Sequence, residues 1–183
     1  IFKDEEFKFY LFFIIFFSFL TFLTLINSGT NNYEKAFRDS LFHVVSIITT
    51  TGFTTLDYTT WNQFCIVILF LLMFFGGCTG STSGSIKTIR IALLFKNSSL
   101  ELKRLLHPNA IIPTRFNHLP VSNQLINNVL AFVAIYLLIF ISGSLIISIF
   151  GYDMESSFGA VASCLGNIGP GLGKFGPAFS YSH

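Results

Sequence analysis

The stretch ITTTGFTT, residues 48–55, places three threonines and a glycine directly after a short apolar run at residues 40–48. A second turn of this kind, LGNIGPGLG at residues 165–173, follows another short run at residues 156–165. A helix needs about 20 apolar residues to cross a bilayer, so neither run is long enough to span one. Each run is therefore predicted to be a re-entrant helix that enters a membrane and ends at a glycine-containing turn.

The composition of the chain is that of a membrane protein. Apolar residues make up 52% of it, charged residues only 11%, and the mean hydropathy is +0.67, whereas a soluble domain carries about 25% charged residues. Residues 7–26 and 125–150 are each long and apolar enough to span the hydrocarbon core as helices. The mixed charges before residue 7 and the lack of a small-residue cleavage site argue against a cleaved signal peptide. The net charge of +2 gives no reason to expect nucleic acid as a partner.

Another apolar segment is interrupted in its middle. Residues 61–75 and 86–95 are apolar, but GGCTGSTSGS at residues 76–85 separates them with four glycines. A glycine costs about 1 kcal/mol in a helix interior, and unwound backbone at membrane depth is tolerated only inside protein or beside a water-filled cavity. We expect a broken second span with an intramembrane loop; glycines that merely let helices pack closely are the alternative. A phosphate-binding loop is excluded, because it needs a lysine directly after its last glycine, and here Ser85 follows Gly84.

An offset of 117 residues relates the two halves of the chain. It lays the first span on residues 124–143 and the first glycine turn on the second, so the order of span, polar stretch, short helix and glycine turn recurs. Identical pairs at this offset include Ser40 with Ser157, Val44 with Val161, Ser46 with Ser163, and Gly52 with Gly169. We predict two pore repeats, residues 1–106 and 122–183, joined by a connector at residues 107–121, with the last span of the second repeat missing.

Basic residues cluster between the second and third spans. Against one acid, Glu101, this segment carries Lys87, Arg90, Lys96, Lys103, Arg104 and Arg115. Because the cytoplasmic loops of membrane proteins are enriched in Lys and Arg, residues 87–118 are expected in the cytoplasm and both glycine turns at the outer side. Lys87 and Arg90 are expected to anchor this face, with a contact to lipid phosphate or to a partner protein as the alternative.

The glycine turns have the chemistry of an ion filter. A short helix that stops inside the membrane directs the negative end of its dipole at the centre, where it stabilises a cation. The backbone carbonyls of a following extended loop can replace the water shell of a potassium ion, and glycine permits the alternating dihedrals that this needs. The candidate filter residues are Thr50, Thr51, Gly52, Phe53, Asn167, Ile168, Gly169 and Pro170. Ordinary helix C-caps are the alternative, but the repeated arrangement favours a filter.

Three motifs resemble the Trk/Ktr/HKT superfamily of potassium uptake proteins, and most closely its bacterial Trk-type transmembrane subunit. They are TTTGFTT at 49–55, GGCTGSTSGSIKTIR at 76–90 and GNIGPGLG at 166–173, and the resemblance covers nearly the whole chain. It implies an all-α, potassium-channel-like membrane protein in which this chain supplies the third and fourth of four repeats around one pore. It also implies that the glycine-rich stretch is a gating loop, with the candidate residues Gly76, Gly77, Gly80, Ser81, Thr82, Ser83 and Gly84.

The resemblance further implies the bound ion and the partners. Potassium would be held by the backbone carbonyls of Thr50, Thr51, Asn167 and Ile168, with no organic cofactor. A homodimer in the cytoplasmic (inner) membrane and a cytoplasmic nucleotide-binding regulatory subunit are expected. Channel-like conduction and symport coupled to sodium or protons both remain open at this point.

The other chemistry-bearing side chains suggest structural roles. Cys65, Cys78 and Cys164 share no metal-ligand spacing and are expected to be buried thiols rather than zinc ligands. His43 is expected to be a packed, neutral histidine on the first short helix. Asp39 is expected to cap that helix or to meet the positive end of its dipole.

Three other function classes compete with potassium uptake. The serines of residues 80–85 would suit an intramembrane enzyme, but His43, His107 and His118 offer no convincing partner for a nucleophile. A broken-helix transporter of another cation and a non-conducting structural subunit complete the set. We predict a potassium transporter that is not an enzyme.

Overall fold

The computed structural model describes residues 4–28, 32–106, 113–117 and 119–178. Within them the chain forms the helices α1 (Glu5–Asn27), α2 (Tyr33–Ile48), α3 (Gln63–Leu72), α4 (Thr88–Leu106), α5 (Asn123–Ile149) and α6 (Met154–Gly166). Two-residue strands form two pairs: β1 (Phe75–Gly76) is parallel to β2 (Ile86–Lys87), and β3 (Arg115–Phe116) is antiparallel to β4 (Leu119–Pro120). The fold is mostly helical, as predicted. Of the predicted connector, residues 107–112 and 118 lie outside the described residues, and His107 and His118 lie there with them.

α1 and α5 are the two helices of the described chain that are long and apolar enough to cross a membrane. Asp4 caps α1 by accepting the Glu6 N–H at 3.0 Å, and Ser122 caps α5 by accepting the Leu125 N–H at 3.3 Å. Such caps satisfy N–H groups that have no partner inside the helix. Each helix begins shortly before its apolar segment. Its first turn contains polar residues, which a prediction from hydropathy leaves out. Many large apolar side chains on both helices are exposed, as expected of helices that face lipid.

α2 begins well before the apolar run that predicts it. Asn32 caps this helix by accepting the Lys35 N–H at 3.2 Å. The expectation that Asp39 caps α2 is therefore wrong, since Asp39 is a buried residue of its second turn. The residues before the apolar run join the helix because they continue its buried face at helical spacing.

The interrupted apolar segment is not one helix. α3 ends at Leu72, and β1 follows it. Residues 77–85 then form a loop that leads into β2, which pairs with β1 in parallel. The neck of this loop is closed by the pairing of Phe75 with Ile86. α3 is shorter than the predicted 61–75, while α4 extends beyond the predicted 86–95, because its amphipathic pattern continues after the apolar residues end.

The hydrophobic core surrounds α3. Leu69, Leu72 and the following Met73 are fully buried in a cluster that also contains residues of α2, α5 and α6. α2 packs along α1, and α6 packs along α5. Ile48 at the end of α2 and Ile168 just after α6 belong to the same cluster, so the core brings the carboxyl ends of the two short helices together.

His43 is a packed core residue, as expected. Its side chain is fully buried, and its ring lies edge-on to the rings of Tyr58 and Trp61, with centroid distances of 5.8 and 5.0 Å. Nδ1 lies 2.7 Å from the carbonyl oxygen of Asp39. A carbonyl only accepts hydrogen bonds, so Nδ1 carries a proton and the ring is fixed to its own helix.

The three cysteines differ in burial. Cys65 is buried beside the hydroxyl of Thr24, Cys78 is half-buried in the glycine-rich loop, and Cys164 is exposed on α6. The prediction of a buried thiol is therefore wrong for Cys164, because that side chain points away from the packed face of its helix. Among the described residues, no group of three His, Cys, Asp or Glu side chains comes together as a metal site.

Candidate functional site

The first glycine turn follows the carboxyl end of α2. Thr50 and Gly52 both have a left-handed backbone, with φ of 54° and 75°. The N–H groups of Thr50 and Thr51 donate back to the carbonyls of Ile47 and Ser46, at 3.0 and 2.9 Å. The turn is thus tied to the last turn of the helix through its N–H groups.

The second glycine turn has positive φ angles at the equivalent positions. Asn167 and Gly169 have positive φ angles of 53° and 115°. The N–H groups of Asn167 and Ile168 donate to the carbonyls of Cys164 and Ser163, at 3.2 and 3.0 Å. Each of these residues lies 117 positions after its counterpart in the first turn, so the offset found in the sequence also relates the two sets of hydrogen bonds.

A serine braces each turn from the preceding helix. The Ser46 hydroxyl donates to the carbonyl of Phe53 at 2.7 Å, and the Ser163 hydroxyl donates to the carbonyl of Gly169 at 2.8 Å. In the sequence these serines served only as landmarks of the repeat, and their contact with the turns was missed. Their identity at the 117-residue offset was the signal that could have revealed it.

The two turns touch each other. Gly52 packs directly on the backbone of Ile168 and on the ring of Pro170. The fully buried Tyr58, which follows the first turn, donates its hydroxyl to the carbonyl of Gly171 at 2.8 Å. No motif or spacing in the sequence marks Tyr58. The eight candidate filter residues thus lie in two adjoining turns.

The carbonyl oxygens predicted to bind potassium have no partner within the described chain. These oxygens belong to Thr50, Thr51, Asn167 and Ile168. No described donor makes a hydrogen bond to any of them. Buried backbone carbonyls are normally paired, and Ile168 is only 4% exposed. The N–H groups of these turns are occupied while these carbonyls are available, which is the polarity that suits a cation.

The glycine-rich loop lies against both turns. The Gly84 N–H donates to the Thr50 hydroxyl at 3.2 Å. The α-carbon of Gly84 also packs on the carbonyl of Gly166, so closely that a β-carbon there would lie 2.1 Å from that oxygen. The Ser85 hydroxyl donates to the carbonyl of Met73 at 2.6 Å and ties the end of the loop to α3. Gly84 is therefore a position where only glycine allows the contact.

The hydroxyls of Ser81 and Ser83 bond to the loop itself. Ser83 Oγ accepts the N–H of Gly77 at 2.7 Å and lies 2.7 Å from Ser81 Oγ, which donates to the carbonyl of Cys78. These hydroxyls are occupied by neighbours in the loop rather than by a histidine base, which disfavours the enzyme alternative. Of the other loop candidates, Gly76 lies in β1 at the neck, while Gly80 and Thr82 are exposed at the tip.

The basic residues next to the loop have specific partners. Lys87 Nζ donates to the carbonyls of Thr79 and Ser81, at 3.0 and 3.1 Å. The guanidinium of Arg90 lies 3.8 Å from the centre of the Phe132 ring on α5. Lys87 is thus bonded to the glycine-rich loop, an interaction that was not expected from the sequence.

Asp153 caps the amino end of α6 and lies outside the apolar segments. Asp153 accepts the hydroxyl of Ser156 at 2.9 Å and its N–H at 3.3 Å. The Ser156 hydroxyl is the main cause that holds the pKa of the Asp153 carboxyl below its ordinary value, since hydrogen bonds to a carboxylate favour its charged form. The same hydroxyl accepts the Lys174 N–H at 2.9 Å, so the start of α6 is also connected to the segment after the second turn.

Known proteins resemble this chain in sequence. A family model described as "TrkH: Cation transport protein" matches residues 2–182. The Trk system potassium uptake protein TrkH of Escherichia coli K12 is 43% identical over 141 residues, which cover 77% of this chain and 29% of that protein. The Trk system potassium uptake protein TrkG of the same strain is 34% identical over 179 residues, which cover 98% of this chain and 37% of that protein.

A solved structure resembles this chain in fold. The crystal structure of the potassium transporter TrkH from Vibrio parahaemolyticus superposes with a TM-score of 0.88 at 38% identity, over 95% of this chain and 37% of that one. The chain therefore spans about a third of the length of the relatives it matches. These relatives are membrane transport proteins and not enzymes, in agreement with the prediction that this chain lies in a membrane and is not an enzyme.

Proposed function

Because this chain belongs to the TrkH family of cation transport proteins, as its motifs predicted, we propose that it supplies two filter turns of a potassium uptake pathway. In this proposal residues 1–106 and 122–183 are the third and fourth of four pore repeats. The names of its relatives support potassium as the ion. The remaining turns of the pathway would come from the rest of a full-length protein.

The observation that carries the proposal is the set of turn carbonyls that accept no hydrogen bond from the described residues. Thr50 and Thr51 supply two, and Asn167 and Ile168 supply two more, in turns that adjoin at Gly52. A potassium ion that enters a filter loses most of its water, and carbonyl oxygens replace that water. The serine braces on neighbouring carbonyls keep the turns in a shape that leaves these four oxygens available.

The dipoles of the short helices favour the same ion. α2 and α6 both end at the turns, and the carboxyl end of a helix carries about half a negative elementary charge. The filter residues themselves bear no charged side chain. A monovalent cation is thereby stabilised without a fixed carboxylate that would hold it too tightly for passage.

The glycine-rich loop is proposed as the gate. Gly84 contacts Thr50 of the first turn and packs on Gly166 at the start of the second. A loop in this position obstructs an ion path that runs between the turns, and its displacement would open that path. Loops in which many backbone groups face away from packed helices open locally at a low cost in free energy.

The remaining proposals concern location and partners. We place the filter turns on the outer side of the cytoplasmic membrane and residues 87–118 in the cytoplasm, since α4 ends in the basic residues Lys103 and Arg104. A homodimer and a cytoplasmic nucleotide-binding regulatory subunit are proposed from the family resemblance. Experiments can distinguish channel-like conduction from transport that is coupled to sodium or protons.

Rubidium uptake tests this function directly. The full-length protein that carries this chain is reconstituted into liposomes, and uptake of radioactive rubidium is measured while external potassium or sodium is added. Competition by potassium but not by sodium at equal concentration is the expected result. Equal competition by both ions would contradict a potassium filter, and absence of uptake would contradict transport and favour a structural subunit.

A further inference from the structure

Glu6 is one of two acids in the first turn of the long apolar helix α1. It is only 7% exposed. Burying a carboxylate is costly unless hydrogen-bond donors surround it. Among the described residues, Thr79 in the glycine-rich loop supplies those donors: its N–H lies 2.7 Å from Oε1, and its hydroxyl lies 2.9 and 3.0 Å from the two carboxylate oxygens.

Lys87 holds the same loop residue from another direction. Its ammonium donates to the carbonyl of Thr79 at 3.0 Å and to that of Ser81 at 3.1 Å. The N–H and hydroxyl of Thr79 are thus bound by an acid on α1, and its carbonyl is bound by a base at the neck of the loop. All the polar groups of Thr79 are therefore bound either by the carboxylate of Glu6 or by the ammonium of Lys87.

These contacts join the middle of the loop to two charged side chains. Among the described residues, the loop meets the first turn through one neutral hydrogen bond, from the Gly84 N–H to the Thr50 hydroxyl at 3.2 Å. Hydrogen bonds with an ionised partner are shorter and roughly twice as strong as neutral ones. Gly80, the next residue after Thr79, has open space around it. Movement of this part of the loop away from the turns must therefore break the bonds of Thr79 first.

We propose that Glu6 and Lys87 form a latch that holds the loop closed by binding Thr79 from both sides. This inference rests on the proposed gating role of the loop and assigns the residues that set its resting position. Glu6 lies 73 residues from Thr79 in the chain, so any tilt of α1 relative to the loop would act on the gate through this contact. Loss of one charge-assisted bond is expected to raise the open population about tenfold.

The test measures basal rubidium uptake by the full-length protein in liposomes, without any regulatory subunit. Glu6→Gln keeps the shape of the side chain but removes its charge, and Thr79→Val removes the hydroxyl at similar volume. Glu5→Gln is the matched control, because Glu5 is the neighbouring acid on α1 and its described side-chain partners are Lys96 and the Asn117 N–H. We expect uptake to increase about tenfold in Glu6→Gln and in Thr79→Val, and to stay at the wild-type rate in Glu5→Gln.

A double variant separates a latch from a simple stabilising role. If Glu6 acts through Thr79, the combined Glu6→Gln and Thr79→Val protein should show no larger increase than either single change. A merely structural role of Glu6 would lower the yield of folded protein without raising uptake per molecule. Should Glu6→Gln fail to fold, Lys87→Met reports on the other half of the latch: higher basal uptake supports the proposal, and wild-type uptake overturns it.

Deletion of residues 79–83 distinguishes failure of the latch from failure of the gate. If the deletion raises uptake while Glu6→Gln behaves like Glu5→Gln, the latch is wrong and the gating loop stands. If the deletion leaves uptake unchanged, the loop is not a gate and the latch is overturned with it. If the wild-type protein takes up no rubidium, the proposed transport function itself is wrong.

Discussion

The carbonyl oxygen of Ile168 lies so close to the α-carbon of Gly52 that a β-carbon at Gly52 would sit 1.8 Å from that oxygen. The two residues belong to different turns, 116 positions apart in the chain. Ile168 carries one of the carbonyls that accept no hydrogen bond from the described chain. The geometry of one candidate ion ligand therefore depends on the absence of a side chain in the other turn.

Alanine at Gly52 should damage the proposed filter more than alanine at Gly169. Gly52→Ala combines a positive φ of 75°, which costs a residue with a β-carbon about 1–2 kcal/mol, with an overlap on the backbone of Ile168. Gly169→Ala meets only unfavourable φ, because its β-carbon would have no neighbour within 4 Å. In a potassium-uptake-deficient cell at limiting potassium, we expect growth to be lost in the first variant and weakened in the second. Full rescue by both, at wild-type expression, would mean that these glycines are only helix caps.

Removal of the serine braces should relax ion discrimination. Ser46→Ala and Ser163→Ala each delete a hydrogen bond to a turn carbonyl, worth about 0.5–1.5 kcal/mol. We expect the preference for potassium over sodium in rubidium competition to fall severalfold in each variant. Ser142→Ala is the control, since that hydroxyl donates only to its own helix on an exposed face of α5. Unchanged preference in both brace variants would contradict this account.

Alanine at Gly84 should displace the glycine-rich loop that is proposed as the gate. Its β-carbon would lie 2.1 Å from the carbonyl oxygen of Gly166, and backbone at both sides of the contact must shift to relieve the overlap. We expect higher basal rubidium uptake in Gly84→Ala and a smaller change in Gly80→Ala, whose β-carbon would meet open space. A larger effect at Gly80 than at Gly84 would argue against a gate seated on the turns.

Tyr58 should contribute stability by joining the two turns. Tyr58→Phe removes the hydroxyl that donates to the carbonyl of Gly171 and leaves that acceptor unpaired in a buried site, at a cost of about 1–3 kcal/mol. Thermal unfolding of the full-length protein in detergent should show a lower midpoint for this variant. The same change at Tyr33, which is 66% exposed, should leave the midpoint where it is; equal shifts in the two variants would refute the contact.

The Asp153 cap should be sensitive to acid. Since the pKa of this carboxyl is lower in the folded protein than its ordinary value of 3.8, its contribution to stability is complete above that value and is lost as pH falls through the folded pKa. Asp153→Ala should lower stability by about 1 kcal/mol at neutral pH and weaken the dependence on pH in this acid range. Asp153→Asn should keep the cap without the titration, and detergent unfolding between neutral and acidic pH measures both effects.

The helical class, the two long spans and the two short helices follow from local properties of the chain. Segment length and hydropathy predict α1 and α5 within a few residues, and the break before β2 follows from four glycines in ten residues. The start of α2 was missed because its first turns are polar and only burial in the tertiary structure shows their common face. The exposure of Cys164 was missed for the same reason, since spacing says nothing about which helix face is covered.

By itself, the sequence determined that this is a membrane chain with two equivalent turns, because hydropathy, glycine content and a 117-residue offset are readable without any contact. The contacts of those turns, in contrast, follow from the way the helices pack. The contacts of Gly52 with Ile168, Tyr58 with Gly171 and Glu6 with Thr79 join residues that are far apart in sequence. Such contacts depend on how whole helices pack around α3, and helix packing is a property of shape and burial that no local pattern encodes.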